Sequence, residues 1–507
     1  MILLAFFVYV SNANANDRAK RVYEIAIERT IPSGAPQYSD VCFSSRWQRP
    51  MDDNDPHETF RDAAQFFATR LDWVYSTNSD WIREAKARGF TYGGAVSTIM
   101  TDGPDVSTRL LGRLKDKQGN FVARTRWAQT EVWEGCVNHP DYREAFLQFL
   151  KIKADAGVDY IVMDDPDSNL NGMQFGACWR EACRDGARRQ GMDLSVDMLD
   201  FQLMSVRRFF EDMRRELDAY AGRVISWASN NYQGSWHFPY NLFDFGIAEI
   251  DNVNPLTLVQ GMEAARAFDK AQIYIFRSNE VADYRRVIAT TYATGQHMMV
   301  PWDQWMGMRD GVRIPRYFAD PADFADLYGF ARGIASYLDG YEDAAYWGGQ
   351  LRDQRYGFRW YHRPPVALSG GSAETYAFTR AKPGDADAPI VIHLVDWSDN
   401  PQPFQAALQP LRLFGDRPVK ITLLTPAEYD AKLHESVVLS QDFSLLVERD
   451  ILFSGDGHPR EGNTNSTRVD VGGEIVDPQL RININIPALQ PWGVLIVEPL
   501  PDAGLGL

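Results

Sequence analysis

The sequence predicts an α/β protein, a (β/α)₈ barrel followed by an antiparallel β-sandwich, and three observations carry that prediction. From about residue 40 to 340 strand-like and helix-like segments alternate, the pattern of a parallel sheet wrapped by helices. The stretch from Val158 to Pro166 is a short apolar run that ends abruptly in Asp164 and Asp165, placing acids at the C-terminal end of a buried strand, where βα loops surround a concave mouth. Beyond Tyr346 the chain changes to short runs of period-two alternation separated by turns, as in an antiparallel sandwich.

Taken in order, the first strand is expected near Val41 to Ser44, with a helix from Glu58 to Thr69. A second strand, Trp73 to Ser76, leads into a helix from Asp80 to Ala87. Tyr92 to Val96 forms the third, and a long loop from Asp102 to Glu134 precedes the helix Tyr142 to Asp155. The fourth strand is the acid-ended run, entered from the helix stop Ala156-Gly157 and bounded by Pro166. Two helices follow, near Trp179 to Arg189 and Val196 to Tyr220, one more than a minimal barrel needs. Val224 to Ala228 is the fifth strand, ending at Asn230 and Asn231, and Phe245 to Ile250 is the sixth. Gln272 to Phe276 is the seventh, with a helix running through Ala293, and Met298 to Asp303 is the eighth, with a helix from Pro321 to Leu338 closing the ring. Eight units over about 300 residues suit a (β/α)₈ barrel. An open doubly wound sheet is the alternative, disfavoured because no glycine-rich phosphate loop follows the first strand. The expected division is a leader at 1–15, a barrel at 16–350 and a sandwich at 365–500, with Gly455 to Gly472 as a loop.

Composition narrows the partners. With 68 acids against 52 bases the formal net charge is −16, which disfavours DNA, RNA and anionic membrane and suits a neutral or cationic partner. The 14 Trp and 22 Tyr offer flat apolar faces with polar edges, suited to stacking on sugar rings, although large barrels also bury many aromatics. Met1 to Val10 is too short to span a bilayer and is followed by Ala13-Asn14-Ala15, an Ala-x-Ala cleavage pattern; a secreted or periplasmic protein beginning near Asn16 is expected, without a usual basic n-region. No membrane insertion is expected, and no oligomeric state is legible. Cys42, Cys136, Cys178 and Cys183 are read as one or two disulfides or as buried thiols; Cys178 and Cys183 lack the spacing of a structural zinc pair, and neither metal nor cofactor is expected.

Acids recur at strand ends: Asp164 and Asp165 after strand four, Glu249 and Asp251 at strand six, Glu280 past strand seven, Asp303 at strand eight. Glycosidic cleavage needs two carboxyl groups across the scissile bond, one to protonate the leaving oxygen and one to attack the anomeric carbon or activate water, and acids from strands four and six of a barrel can meet that requirement. Asp164 and Asp165 cannot both face inward, because neighbouring strand residues alternate faces, and the pattern leaves open which one does. Any of these acids also suits a helix N-cap or an arginine partner. Trp47, Trp227 and Trp302 flank strand ends where they would stack on sugars. Asn230 and Asn231 are placed to bond hydroxyls, and Arg46 and Arg277 to bind an acidic sugar or orient a carboxylate.

At these residues the chain resembles the broad group of (β/α)₈ glycoside hydrolases with an accessory C-terminal β-sandwich. Asp159 to Pro166 looks like their strand-four Asp-Gly-x-x-x-Asp-Asp element, with Tyr160 where glycine is more usual, and the layout agrees from about 40 to 500. In α-galactosidase-like and α-fucosidase-like families a strand-four Asp is the nucleophile and a strand-six acid the acid/base. The resemblance therefore implies Asp164 as nucleophile and Glu249 as acid/base, with Asp165 and Asp251 as substitutes. Families with Asn-Glu on strand four are not matched, although Glu280 keeps a strand-seven nucleophile open. A secreted, retaining glycosidase acting on a poly- or oligosaccharide is the leading expectation. A non-catalytic carbohydrate-binding barrel would show each acid locked to an arginine, and a polysaccharide lyase would show Tyr or Arg crowding the mouth in place of paired acids.

Overall fold

The computed structural model describes residues 20–44, 57–98, 112–127, 130–251, 253–276, 278, 280–302, 304–305, 308–309, 312–313, 316–317, 319–349, 365–415, 417–455, 470–471, 474–475 and 481–501. Eight parallel strands form the barrel: β1 (Cys42–Phe43), β2 (Arg70–Val74), β3 (Thr91–Ser97), β4 (Tyr160–Asp164), β5 (Ser226–Ser229), β6 (Phe245–Ile250), β7 (Ala271–Phe276) and β8 (His297–Met298). They lie side by side in sequence order. The ring is brought together where Val300, just past β8, donates its N–H to the Cys42 carbonyl at 2.8 Å. The expected leader lies outside the described residues, and no described helix is long and apolar enough to cross a membrane.

Helices wrap the barrel where the sequence alternation places them: α1 (Thr59–Gln65), α2 (Ser79–Ala87), α3 (Pro140–Asp155), α4 (Glu181–Arg189), α5 (Met198–Ala221), α6 (Pro255–Ala267), α7 (Val281–Ala293) and α8 (Pro321–Gly333). Helix α6, which the strand reading passes over, starts with an Asn254 cap bonded to Thr257 N–H and a proline in its first turn, both strong start signals. Between barrel and helices lies a large apolar layer to which Ile161, Met163, Trp227, Ala248 and Trp302 belong. A second set, Ala95, Tyr160, Val162, Ala228, Phe245, Ile247, Ile273 and Ile275, fills the barrel interior. Most residues on both faces of the strands are buried, so apolar side chains occupy both faces.

The floor of the barrel is polar but paired. Arg70 forks onto Asp72 with bonds of 2.9 to 3.1 Å and also donates to the Gly34 carbonyl at 2.9 Å. Tyr160 donates its hydroxyl to Asp72 and lies under the Arg70 guanidinium, 5.2 Å from it. This explains the departure from glycine at position 160: the ring fills the floor, and the space it needs comes from Gly93 on β3, where a Cβ would lie 2.3 Å from the Tyr160 ring.

The sandwich comprises β9 (Glu342–Gly348), β10 (Val366–Gly370), β11 (Thr375–Ala381), β12 (Ile390–Asp396), β13 (Phe404–Leu408), β14 (Val419–Pro426), β15 (Val447–Gly455), β16 (Ile482–Ile486) and β17 (Trp492–Pro499). One sheet runs β9-β11-β12-β17-β14-β15 and the other β10-β13-β16, all antiparallel. Strand β9 falls inside the range expected for the barrel, so the sandwich starts earlier than 365. Residues Val22, Tyr23 and Ala26 pack into the sandwich core as well, which ties the N-terminal segment to the far domain.

Candidate active site

Asp164 ends β4 on the inward face, in step with Tyr160 and Val162 below it. Asp165 follows with its backbone in the left-handed region (φ 49°), its carbonyl accepting the Thr98 hydroxyl at 2.6 Å and its own N–H donating to Asp164 Oδ1 at 3.0 Å. Of the two acids, Asp164 is the one in step with the inward residues of β4. Two further donors grip the same carboxyl group. Tyr75 donates to Oδ2 at 2.5 Å, and Asn230 donates through Nδ2 to Oδ1 at 2.9 Å. Asn230 reaches this position because its backbone N–H continues the β5 ladder onto the Met163 carbonyl at 2.8 Å.

Glu249 lies on β6 two and four residues above Ile247 and Phe245, so it projects inward at the same end of the barrel. Its charge, with that of Asp165, opposes ionisation of Asp164. Burial is the largest influence and drives the Asp164 carboxyl up to about 7, while the Tyr75 and Asn230 hydrogen bonds pull the other way. Among the described residues the hydrogen-bond partners of its side chain are Tyr75, Asn230 and the Asp165 N–H.

Tyr75 was not singled out from the sequence, and β2 explains why. At Trp73 the backbone takes φ 55° and the pairing with β3 shifts register between Leu71 and Val74. Asp72 and Trp73 thereby both face the interior, and Tyr75 arrives inward beside Asp164, with Trp73 Nε1 donating to its hydroxyl at 3.1 Å. Lys153 of α3, buried, holds this corner by donating to the carbonyls of Tyr75 and Ser76 at 2.7 and 2.8 Å. Burial lowers its ammonium to about 7. Tyr240 and Asp167 form another unforeseen pair at the same rim, the hydroxyl donating at 3.1 Å. Burial and the charges of Asp167 and Asp165 hold the Tyr240 phenol protonated.

Other expected positions separate. Trp227 is fully buried in the outer layer, with the Arg214 guanidinium 5.9 Å from its ring, and does not line the mouth. Trp302 is likewise buried; it packs on Phe43 at 4.9 Å and donates to Asp62 at 3.1 Å. Asn231 folds back into a reciprocal pair with Gln272, at 2.7 and 3.1 Å, in space left by Gly246, where a Cβ would lie 2.4 Å from Asn231 Oδ1. Trp227 faces the helices because it is one step along β5 from the inward Ala228, whereas Asn231 and Trp302 lie past the ends of β5 and β8. Asp251 is exposed and paired with Gln233 through two hydrogen bonds, beside a cavity of about 320 Å³ that also involves Tyr274 and α6. Glu280 is exposed at the N-cap of α7. Arg46, Trp47, Arg277 and Asp303 lie outside the described residues.

Of the two readings of the cysteines, disulfides or buried thiols, the structure has the second: all four are buried free thiols. Cys42 is inside the barrel, while Cys136 Sγ stands 3.4 Å from Cys183 Sγ and 3.5 Å from Cys178 Sγ, well beyond the roughly 2.05 Å of a disulfide.

No protein-family model and no curated relative matches the sequence. Among solved structures, the α-L-fucosidase isoenzyme 2 from Paenibacillus thiaminolyticus aligns with a TM-score of 0.53 at 10% identity, over 92% of this chain and all (100%) of that one. A noncanonic maltogenic α-amylase from Thermotoga neapolitana aligns with a TM-score of 0.45 at 8% identity, over 92% of this chain and 99% of that one. A β-L-arabinopyranosidase from Geobacillus stearothermophilus aligns at 0.41 and 8% identity, over 84% of this chain and 78% of that one. At such identities the first of these likenesses is one of fold: a (β/α)₈ barrel with a C-terminal β-sandwich.

Proposed function

We propose that this chain is a glycoside hydrolase that cleaves a poly- or oligosaccharide with retention of anomeric configuration, Asp164 acting as nucleophile and Glu249 as acid/base. The observation that carries the reading is the setting of Asp164: an inward carboxyl at the end of β4, held by the neutral donors Tyr75 and Asn230 and close enough to Glu249 to feel its charge. The strand-four resemblance and the fold likeness to the fucosidase agree with this assignment.

In the first step Glu249, protonated, gives its proton to the leaving glycosidic oxygen while a carboxylate oxygen of Asp164 bonds to the anomeric carbon. In the second, Glu249 takes a proton from water, whose oxygen displaces Asp164 from that carbon. Tyr75, Asn230 and the Asp165 N–H orient the nucleophile and disperse its charge in the ground state. Export, on the apolar Met1 to Val10 and the Ala-x-Ala pattern, is part of the same reading, and N-terminal sequencing of the exported protein is expected to begin near Asn16.

The test is a glycan panel with product anomers followed by NMR. Retention is expected from the wild type. Glu249→Gln should lower the rate about 10²–10⁴-fold on substrates with poor leaving groups, and Asp164→Asn should abolish turnover with the circular dichroism spectrum intact. Hydrolysis unchanged in both variants would sink the assignment, and inversion would make Asp164 or Glu249 a base acting on water instead.

A further inference from the structure

The three clustered cysteines lie away from the proposed chemistry, and nothing in the two-carboxylate mechanism uses them. Cys136 comes from the loop after β3, Cys178 from the segment after β4, and Cys183 from the first turn of α4, so residues 42 to 47 apart in sequence converge. Their sulfurs all lie within 4.8 Å of one another and are buried. Thiolates bound at about 2.3 Å to a tetrahedral zinc stand about 3.8 Å apart, so the observed 3.4 and 3.5 Å spacings need only slight expansion.

A further feature points to a ligand. Side-chain amides turn toward the sulfurs: Asn138 Nδ2 donates to Cys183 Sγ at 3.4 Å, and Asn169 Nδ2 lies 4.0 Å from Cys136 Sγ. Such N–H···S contacts are what outer-shell groups provide around a zinc thiolate. A disulfide between any two of the three would leave the third thiol sealed against it in an apolar pocket of Leu114, Ala177, Leu194 and Phe201.

We propose that Cys136, Cys178 and Cys183 form a structural zinc site, its fourth position taken by water, that clamps the loop after β3 onto the segment after β4. Binding deprotonates the three thiols, forms three Zn–S bonds, and releases three protons to solvent. The site's net charge, −1 with a neutral water, is met by the asparagine amides. Its structural consequence is local: the same two segments are stitched by Ser168 Oγ to the Gly135 carbonyl at 3.0 Å and by Val137 N–H to Asn169 Oδ1 at 3.0 Å, next to the turn that carries Asp165.

The experiment uses the full chain purified in chelator-free, reducing buffer with Zn²⁺ supplied. One zinc per chain by mass spectrometry of the metal is expected, with Co²⁺ replacing it to give the charge-transfer absorption of cobalt thiolate. Cys183→Ser and Cys178→Ser should each lose the metal, and Cys42→Ser should keep a full complement. Removing zinc should lower the melting temperature of the wild type. Should the cysteine variants fail to fold, the wild-type stoichiometry decides alone. Absence of bound zinc, or only two alkylatable thiols in denatured protein prepared without reductant, overturns the proposal.

Discussion

Asp164 combines two demands that pull against each other. A nucleophile must be ionised, yet burial and two nearby acids lift this carboxyl to about 7 despite three hydrogen-bond donors. If the ionised form attacks, kcat/KM should rise with pH through about 7, and removing a donor should move that limb upward. Tyr75→Phe removes the 2.5 Å donor and is expected to shift the limb to higher pH; a limb that stays in place, measured by initial rates across pH 5 to 9 on a neutral substrate, would show that Asp164 does not govern it. The same shift has a stability consequence of defined sign. Because the folded-state value lies above the unfolded one, Asp164 contributes stability that is full below about 4 and is lost as pH rises to about 7. Asp164→Asn should therefore melt at or above the wild-type temperature at pH 8, where the native site holds a charge it is poorly built to solvate, while being inactive. A large drop in melting temperature at pH 8 would count against the buried-charge account.

Strand β2 shows how an element can hide its own chemistry. Counting twos along Arg70 to Val74 misplaces the inward faces, because Trp73 adopts φ 55° and the pairing with β3 shifts register there. Tyr75 was thus invisible as a site residue, although the run around it was legible as a strand. Asp164 and Glu249 were legible because a carboxylate at the end of an apolar run contradicts its surroundings. Trp227 and Trp302 were misread for the converse reason: strands buried on both faces carry no alternation to tell mouth from helix layer. The cysteine cluster had no signal, since two βα loops bring together residues that the sequence keeps apart. At the base of β2 the Arg70–Asp72 pair, both nearly inaccessible, gives a sharper expectation. Burial, with the charge of Asp40, raises the Asp72 carboxyl, and Arg70 is the main influence opposing that rise. Arg70→Met should cost about 3–5 kcal/mol by leaving that acid unpaired, read as a lower urea midpoint. Arg70→Met with Asp72→Asn should recover part of the loss, because the amide still accepts from Tyr160. A double variant as unstable as the single one would assign the loss to packing of the Arg70 side chain.

Over the whole molecule, barrel and sandwich are joined by a core rather than by a linker. The apolar layer that holds Tyr292 and Phe330 from the barrel helices continues without interruption into Tyr376, Phe378, Val391, Trp492, Val494 and Ile496 of the sandwich. Trp492 sits at the junction, fully buried, stacked on Tyr292 at 5.8 Å and set edge-on to Phe330 at 4.8 Å. Charged pairs flank it: Arg285 forks onto Asp326 within α7 and α8 while also reaching the Gln490 carbonyl, and Arg286 reaches Asp399 across the interface at 2.6 Å. Trp397 donates to the Thr290 hydroxyl at 2.8 Å. An interface this apolar leaves neither half able to unfold without exposing core of the other, so calorimetry of the intact chain should give one cooperative transition. Trp492→Ala should cost about 3–5 kcal/mol through the cavity it opens, and it should uncouple the halves, splitting that transition into two. Arg286→Ala, which removes only an ion pair to an exposed acid, should change the melting temperature little. Two transitions already present in the wild type, or a Trp492→Ala variant that melts as the wild type does, would mean that the domains are merely apposed.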